Sequence, residues 1–166
     1  MYKLLSLLLF TTLLSAQDKI SIGVYQDARL LFTGDDHGNQ AGTLDIKADV
    51  SLQGLQKKYY YYEMRVQFEY ANLSGGKYVS WLINGGWVFN KLIINNIEIG
   101  GYLTTGMIHR WEGSWFTYGL SGDISYKIGR FKISGLYQLI ERNDLKQYYG
   151  TKGLQPNFYI GLKYEL

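Results

Sequence analysis

The sequence predicts an all-β chain: an eight-stranded antiparallel up-and-down transmembrane β-barrel. Three features carry that expectation. Hydrophobicity alternates with a period of two in eight successive stretches, the connections between them alternate in length, and the apolar face is too bulky for the inside of so small a barrel. A period of two means a strand, because successive side chains point to opposite faces. Residues 43–55 show it most clearly. Leu44, Ile46, Ala48, Val50 and Leu52 lie on one side, with Asp45, Lys47, Asp49, Ser51 and Gln53 on the other.

The remaining strands follow in order. Residues 19–32 set Ile20, Ile22, Val24, Ala28 and Leu30 against Ser21, Asp27 and Arg29. Residues 59–71 set Tyr62, Met64, Val66, Phe68 and Tyr70 against Glu63, Arg65, Gln67 and Glu69. Residues 78–90 and 93–108 repeat the pattern with Trp81, Ile83, Trp87 and Phe89, then Ile97, Ile99, Leu103 and Met107, opposite Ser80, Asn84, Glu98 and Thr104. Residues 115–127, 130–140 and 157–166 complete the set, with Asp123, Lys132, Gln138, Tyr159, Lys163 and Glu165 on the polar face. Residues 56–58, 90–92 and 128–129 read as tight turns. Residues 33–42, 72–77, 109–114 and 141–156 are longer and rich in Gly, Asn, Asp and Ser, as a meander with one elaborated rim requires. Residues 17–166 form one barrel domain.

Composition agrees with this reading and narrows the alternatives. With 16 Tyr, 20 Gly and a single Pro, the chain suits long unbroken ladders. It has no Cys, which removes disulfides, thiolate metal sites and an acylated-cysteine anchor. The formal net charge of +3 has no basic cluster behind it, so nucleic acid is not an expected partner. Residues 1–16 read as an export signal cleaved after Ala16. Lys3 is the positive segment, residues 4–14 the apolar core, and Ser15-Ala16 the small-residue cleavage site.

Size decides which face is inside. An eight-stranded barrel is only wide enough to be filled by side chains. Roughly five large apolar residues per strand cannot be packed there at protein density, whereas against lipid they fit. The charged face therefore lines the lumen. Its acids are Asp27, Asp45, Asp49, Glu63, Glu69, Glu98, Asp123 and Glu165, and its bases Arg29, Lys47, Arg65, Lys132 and Lys163. Near balance points to a paired network, because buried charges need partners. The expected registers set Arg29 opposite Asp45, Asp27 opposite Lys47, Asp49 opposite Arg65, and Ser125 opposite Lys132. Aromatic residues concentrate towards strand ends, as two membrane girdles. Tyr60, Tyr62, Trp87, Phe89, Tyr126, Phe131 and Tyr164 lie near the short turns, and Trp81, Trp115, Phe116 and Phe158 near the long loops.

An export signal, eight alternating strands, short and long connections, and a final Phe158-x-Ile160-x-Leu162-x-Tyr164-x-Leu166 resemble small bacterial outer-membrane β-barrels. The likeness is to the outer-membrane protein X group and the OmpA transmembrane domain, and it spans nearly all of 17–166 as a pattern. It implies residence in the bacterial outer membrane, a monomer, contact with outer-membrane lipid and lipopolysaccharide, and recognition by the barrel-assembly machinery. Tyr164 matches the tyrosine of that group's C-terminal signal, and Leu166 departs from its usual phenylalanine.

Candidate chemistry is sparse. His109 with Glu112 and Ser114 is nominally a Ser/His/acid set, and His37 behind Asp35-Asp36 a nominal cation site. Neither has convincing spacing, so no catalytic, metal or cofactor-binding residue is expected. Arg110, Arg142, Lys146 and Lys152 place positive charge on the long-loop side, where phosphates of lipopolysaccharide would meet it. The expected role is non-enzymatic, structural or surface-contacting, through loops 33–42 and 141–156. The alternatives are a narrow pore sensitive to Glu98 or Lys132, a lipid-modifying enzyme, and a soluble lipocalin-like carrier.

Overall fold

The computed structural model describes residues 17–90, 96–110 and 113–166. Among them eight strands form one closed antiparallel barrel: β1 (Gln17–Asp27), β2 (Asp45–Gly54), β3 (Tyr60–Leu73), β4 (Gly76–Asn90), β5 (Ile97–Arg110), β6 (Gly113–Ile128), β7 (Phe131–Glu141) and β8 (Leu154–Glu165). Each strand pairs with its sequence neighbours, and β8 closes on β1. That seam is the shortest ladder, with seven residues of β1 facing β8, whereas β3 and β4 pair over fourteen. Two short helices sit in the loops: α1 (Ala28–Phe32) after β1 and α2 (Asn143–Tyr149) after β7.

Burial follows the two-residue period. Along β2, Asp45, Lys47, Asp49, Ser51 and Gln53 are buried, while Ile46 and Val50 are exposed. The charges are inside: Lys47 is 0% exposed, Arg65, Glu63 and Glu69 each 1%. Outside, 34 large apolar or aromatic side chains of the described residues are exposed, and they surround every strand. A soluble monomer rarely shows an apolar patch beyond a few hundred Å². This surface is continuous around the barrel, as for a wall that faces lipid. The soluble lipocalin-like alternative requires the opposite placement of faces.

The lumen is not purely polar. Tyr25, Tyr61, Tyr78, Tyr102 and Tyr159 point inward with Leu82, Ile108, Leu136 and Ile140. Inward glycines make room where neighbouring strands approach. A Cβ at Gly106 would lie 1.9 Å from the Trp81 carbonyl oxygen, and one at Gly119 2.1 Å from that of Leu139.

Three expectations need correction. The first strand ends at Asp27, because the Asp27 carboxylate accepts a hydrogen bond from the Leu30 amide at 2.9 Å and caps α1. Arg29 therefore leaves the ladder and is exposed on the helix, away from Asp45. Secondly, residues 72–77 and 109–114 are not long loops. Leu73 pairs with Gly76 across Ser74-Gly75, and Arg110 pairs with Gly113, so β3 to β6 project beyond their neighbours. Gly, Asn and Ser there serve the hairpin turns themselves.

Thirdly, every expected register is displaced by two residues. Tyr25 faces Lys47, Ser51 faces Arg65, and Ser125 faces Ser134. The β6–β7 turn is Gly129-Arg130, with Gly129 at φ 63°, one residue later than expected, and a turn moved by one moves the register by two. An even shift keeps every side chain on its face, so the inside–outside assignment is unaffected. Of the expected strand 93–108, residues 93–95 lie outside the described residues, as does the leader 1–16.

The outer aromatics pair across strands on the outward surface. Tyr62 meets Trp87 at 5.3 Å between ring centroids, Tyr60 meets Trp87 at 5.5 Å, and Phe131 meets Tyr164 at 5.0 Å near the short turns. Phe68 meets Trp81 at 4.5 Å nearer the loops. Trp115 is different. It shares the inward parity of Thr117 and gives its indole N–H to Gln147 of α2 at 2.9 Å, so it holds a loop and is not part of the outward band.

Replacing Gly106 by Ala forces the β4–β5 pair apart. The expected loss is about 1–3 kcal/mol in urea unfolding followed by tryptophan fluorescence, the usual cost of overpacking. The same change at Gly101, whose added Cβ meets nothing within 4 Å, leaves stability close to wild type.

Candidate functional site: the lumenal charge network and its capped mouth

The inward side chains meet across the barrel in tiers. We call the end with the β2–β3, β4–β5 and β6–β7 connections the turn rim, and the opposite end the loop rim. Nearest the turn rim, Lys132 lies 2.7 Å from Glu98 and 2.7 Å from Glu165. Lys127 contacts Glu165 at 2.5 Å, and the Tyr61 hydroxyl donates to Glu98 at 2.9 Å.

The middle tier is built around Arg65 of β3. Its guanidinium contacts Glu63 at 2.5 Å, Asp123 at 2.8 Å and Asp49 at 3.5 Å, donates to the Tyr102 hydroxyl at 2.8 Å, and stacks 4.4 Å above that ring. Lys163 approaches the same acids, at 3.0 Å from Asp123 and 3.7 Å from Glu63. One tier nearer the loops, Lys47 pairs with Glu69 at 3.3 Å, donates to Gln138 and sits 3.7 Å over the Tyr159 ring. Glu69 in turn accepts from Tyr159 at 2.7 Å and Ser80 at 2.8 Å, while Gln138 donates to Gln67 at 2.9 Å.

These contacts join β2 to β7, β3 to β6 and β3 to β8, so they cross the lumen instead of following its wall. In so dry a place an ion pair repays its desolvation only with good geometry and further hydrogen bonds, and the tyrosine hydroxyls supply those bonds. The arrangement can fill and hold the barrel. Each lumenal base has at least one acid, which leaves no single-sign path for an ion.

The loop rim is closed by α2 and the first loop. Arg142 makes two 2.8 Å hydrogen bonds to the Asp144 carboxylate, Arg110 lies 3.5 Å from it, and Arg142 stacks 4.7 Å from Tyr78. Burial by itself pushes the Asp144 carboxyl up. The Arg142 hydrogen bonds, with the charges of Arg142 and Arg110, outweigh that and hold it below the usual carboxylate range. Gly150, at φ 68°, ends the helix in the left-handed conformation. On the other side the Asp35 carboxylate accepts from the amides of His37 and Asn39 and from the Asn39 side chain, and Asn39 accepts from the Ser74 amide at 2.6 Å. The His37 ring stacks on Tyr149 at 4.4 Å and so ties the first loop to α2. A cavity of about 30 Å³ remains beneath, lined in part by Asp27, Asp45, Arg142, Asn157 and Tyr159. It is about the size of one water.

Twelve of the thirteen charged residues expected in the lumen face it, and Arg29 does not. The sequence reading placed Tyr159, Gln67 and Gln138 on the inward face without naming them as partners of the charges, and it did not single out Tyr25, Tyr61, Tyr78 and Tyr102. Parity was the available signal, since each sits an even number of residues from a lumenal charge of its own strand or, for Tyr78 on β4, from Ser80 and Asn84. It also placed Arg110 and Arg142 in solvent. They are 1% and 9% exposed, drawn inward by Asp144, so Lys146 and Lys152 are the exposed bases of the α2 loop. His109 faces outward and contacts the Ser114 hydroxyl at 2.7 Å, as a cross-strand pair. Glu112 lies outside the described residues. Among the described residues no group of three His, Cys, Asp or Glu side chains is disposed to hold a metal.

Arg65→Ala removes the common partner of three buried acids. It is expected to cost about 3–5 kcal/mol in urea unfolding, far more than loss of an exposed pair. Asp144→Asn unfastens α2 and is expected to speed tryptic cleavage after Lys146 and Lys152 at least ten-fold at neutral pH, with the barrel intact on gels. The pH dependence has a definite sign. A carboxyl with a depressed folded pKa stabilises above the unfolded value, near 4, and loses that contribution as pH falls through the folded value. Hydrogen-exchange protection in α2, taken relative to the intrinsic exchange rate at each pH, should therefore be unchanged from pH 7 to 5 and fall below about pH 4.

No protein-family model and no curated protein sequence matches the chain. Solved structures do. The backbone structure of the Yersinia pestis outer membrane protein Ail in a phospholipid bilayer nanodisc aligns with a TM-score of 0.57 at 11% identity, covering 89% of this chain and 99% of that one. The crystal structure of Ail, the attachment invasion locus protein of Yersinia pestis, aligns at 12% identity over 89% of this chain and 97% of that one, with a TM-score of 0.49. At such identity the likeness is one of fold, and the fold is that of an eight-stranded outer-membrane β-barrel.

Proposed function

We propose that the chain is an integral protein of a bacterial outer membrane, exported by residues 1–16 as a signal peptide. Its role is non-enzymatic, as a closed structural barrel that presents its loop rim to the surroundings. One observation carries the reading: paired charges cross and fill the lumen while bulky apolar residues cover the outside. A lipid-facing wall with a packed polar core has no room for the ligand of a carrier, and its balanced pairs offer no path for a pore.

The loop rim supports a contacting role by its order. α2, the first loop and the projecting β3–β6 hairpins are fixed to one another by Asp144, Asn39 and the His37–Tyr149 stack. A surface held in one shape loses less freedom on binding than a mobile loop. Exposed Lys146 and Lys152 are the bases available there for lipopolysaccharide phosphates, a contact that salt weakens. The Tyr164 position suits delivery by the barrel-assembly machinery, and the apolar exterior suits a monomer surrounded by lipid.

Expression in a Gram-negative bacterium, followed by fractionation and gels run with and without boiling, tests this directly. The expected product is an outer-membrane band that migrates differently after boiling and shows no step conductance in planar bilayers. A soluble periplasmic product with no shift removes the membrane reading. Discrete conductance altered by Glu98→Gln or Lys132→Gln establishes the pore in its place.

A further inference from the structure

The acids and bases are distributed unequally along the barrel axis. At the turn rim Glu98 contacts Lys132, and Glu165 contacts Lys132 and Lys127, while Asp18 stands at the start of β1. The turns themselves carry only bases. Residues 55–59 are Leu-Gln-Lys-Lys-Tyr and the β6–β7 turn is Gly129-Arg130, so Lys57, Lys58 and Arg130 stand exposed. Among the described residues none of the three has an acidic side chain within ion-pair distance. Two of them sit beside tyrosines: Lys58 lies 5.0 Å over the Tyr59 ring, and Arg130 donates to the hydroxyl of the girdle residue Tyr164 at 3.5 Å. The loop rim is mixed by comparison, with Asp35 and Asp36 in the same loop that follows Arg29.

We propose that the turn rim is a docking surface for anionic phospholipid headgroups, held by Lys57, Lys58 and Arg130. The outward aromatics Tyr60, Trp87, Phe131 and Tyr164 fix the depth at which the rim sits, because amphipathic rings settle at the headgroup level. The three bases then lie where lipid phosphates are. An exposed base near a membrane surface gains energy from anionic lipid, and the gain fades beyond a Debye length. Among the described residues none of the three is held in an ion pair, so that attraction goes to the leaflet. The leaflet meeting the turns thus prefers anionic lipid.

The inference rests on the membrane reading above, and the test separates the two. The mature chain is reconstituted in nanodiscs of equal phosphatidylcholine and phosphatidylglycerol, then released into mild detergent. Native mass spectrometry reads the lipids that stay bound. Wild type is expected to retain phosphatidylglycerol in excess, by about five-fold for one engaged base at low salt, with the excess falling towards unity in 0.5 M salt. Lys57→Gln/Lys58→Gln/Arg130→Gln removes the excess, and Lys77→Gln, an exposed base at the other rim, does not. Excess free glycerophosphate leaves the retained lipid unchanged, which identifies the bilayer lipid as the ligand.

Equal retention of both lipids by an inserted, heat-modifiable wild type overturns the inference and leaves the membrane reading standing. So does an excess that survives the triple substitution or is lost in the loop-rim variant. Should the triple variant fail to fold, the salt series on wild type decides, and an excess unchanged in 0.5 M salt overturns the inference. Failure of wild type to insert at all overturns both.

Discussion

A guanidinium sealed inside a narrow barrel must be satisfied from all sides, and much of this structure follows from how Arg65 is satisfied. Glu63 comes from its own strand, Asp49 from β2, Asp123 from across the lumen on β6, and Tyr102 from β5. The guanidinium without the carboxylates, or the carboxylates without the guanidinium, would be buried and poorly compensated charge, which costs several kcal/mol. Four strands are thereby held at fixed separations by one side chain. Lys47 repeats the arrangement one tier away, with Glu69, Gln138 and the Tyr159 ring. A soluble domain of this length would fix its strands by apolar packing. Here apolar burial is confined to small clusters such as Ala71, Tyr78, Ile108 and Ile140, and the polar network supplies the specificity.

The wall and the filling answer different solvents. Outside, the backbone is already fully paired by ring closure, so the strands present only side chains to lipid, and residues such as Leu103 and Val24 need no partner of their own. Inside, polar atoms need partners, and tyrosines meet part of that demand economically. A ring fills volume that small polar residues leave, while its hydroxyl reaches the acids at the axis, as Tyr159 does for Glu69 and Tyr61 for Glu98.

Much of the fold was legible from alternation alone, because parity survives errors in strand ends and in register. Lys47 and Glu69 face inward whichever residues stand opposite them. The register was not legible, since a turn displaced by a single residue, as at Gly129-Arg130, is invisible to a pattern of period two. Loop composition misled for a related reason. Gly and Ser at 74–76 signal a turn without stating its length, and the strands ran almost to its centre. Asp27 was read as a strand residue, although an Asp three residues before the amide of Leu30 is also an N-cap. The burial of Arg110 and Arg142 depended on Asp144, a residue whose own placement only α2 determines. The lumenal charges were thus readable, and the tyrosines that complete them were obscured because an aromatic chain offers tyrosine on both faces.

The short ladder between β1 and β8 has a consequence for the order of events. Seven ladders join consecutive strands and close hairpin by hairpin, with small loops to form. The eighth joins residues such as Ile22 and Tyr164, separated by nearly the whole barrel, and it is also the one with fewest paired residues. Until it forms, β1 and β8 both present unpaired amides and carbonyls, which hydrocarbon does not tolerate. The curved sheet of seven local ladders must therefore be held at a guarded edge until the eighth closes.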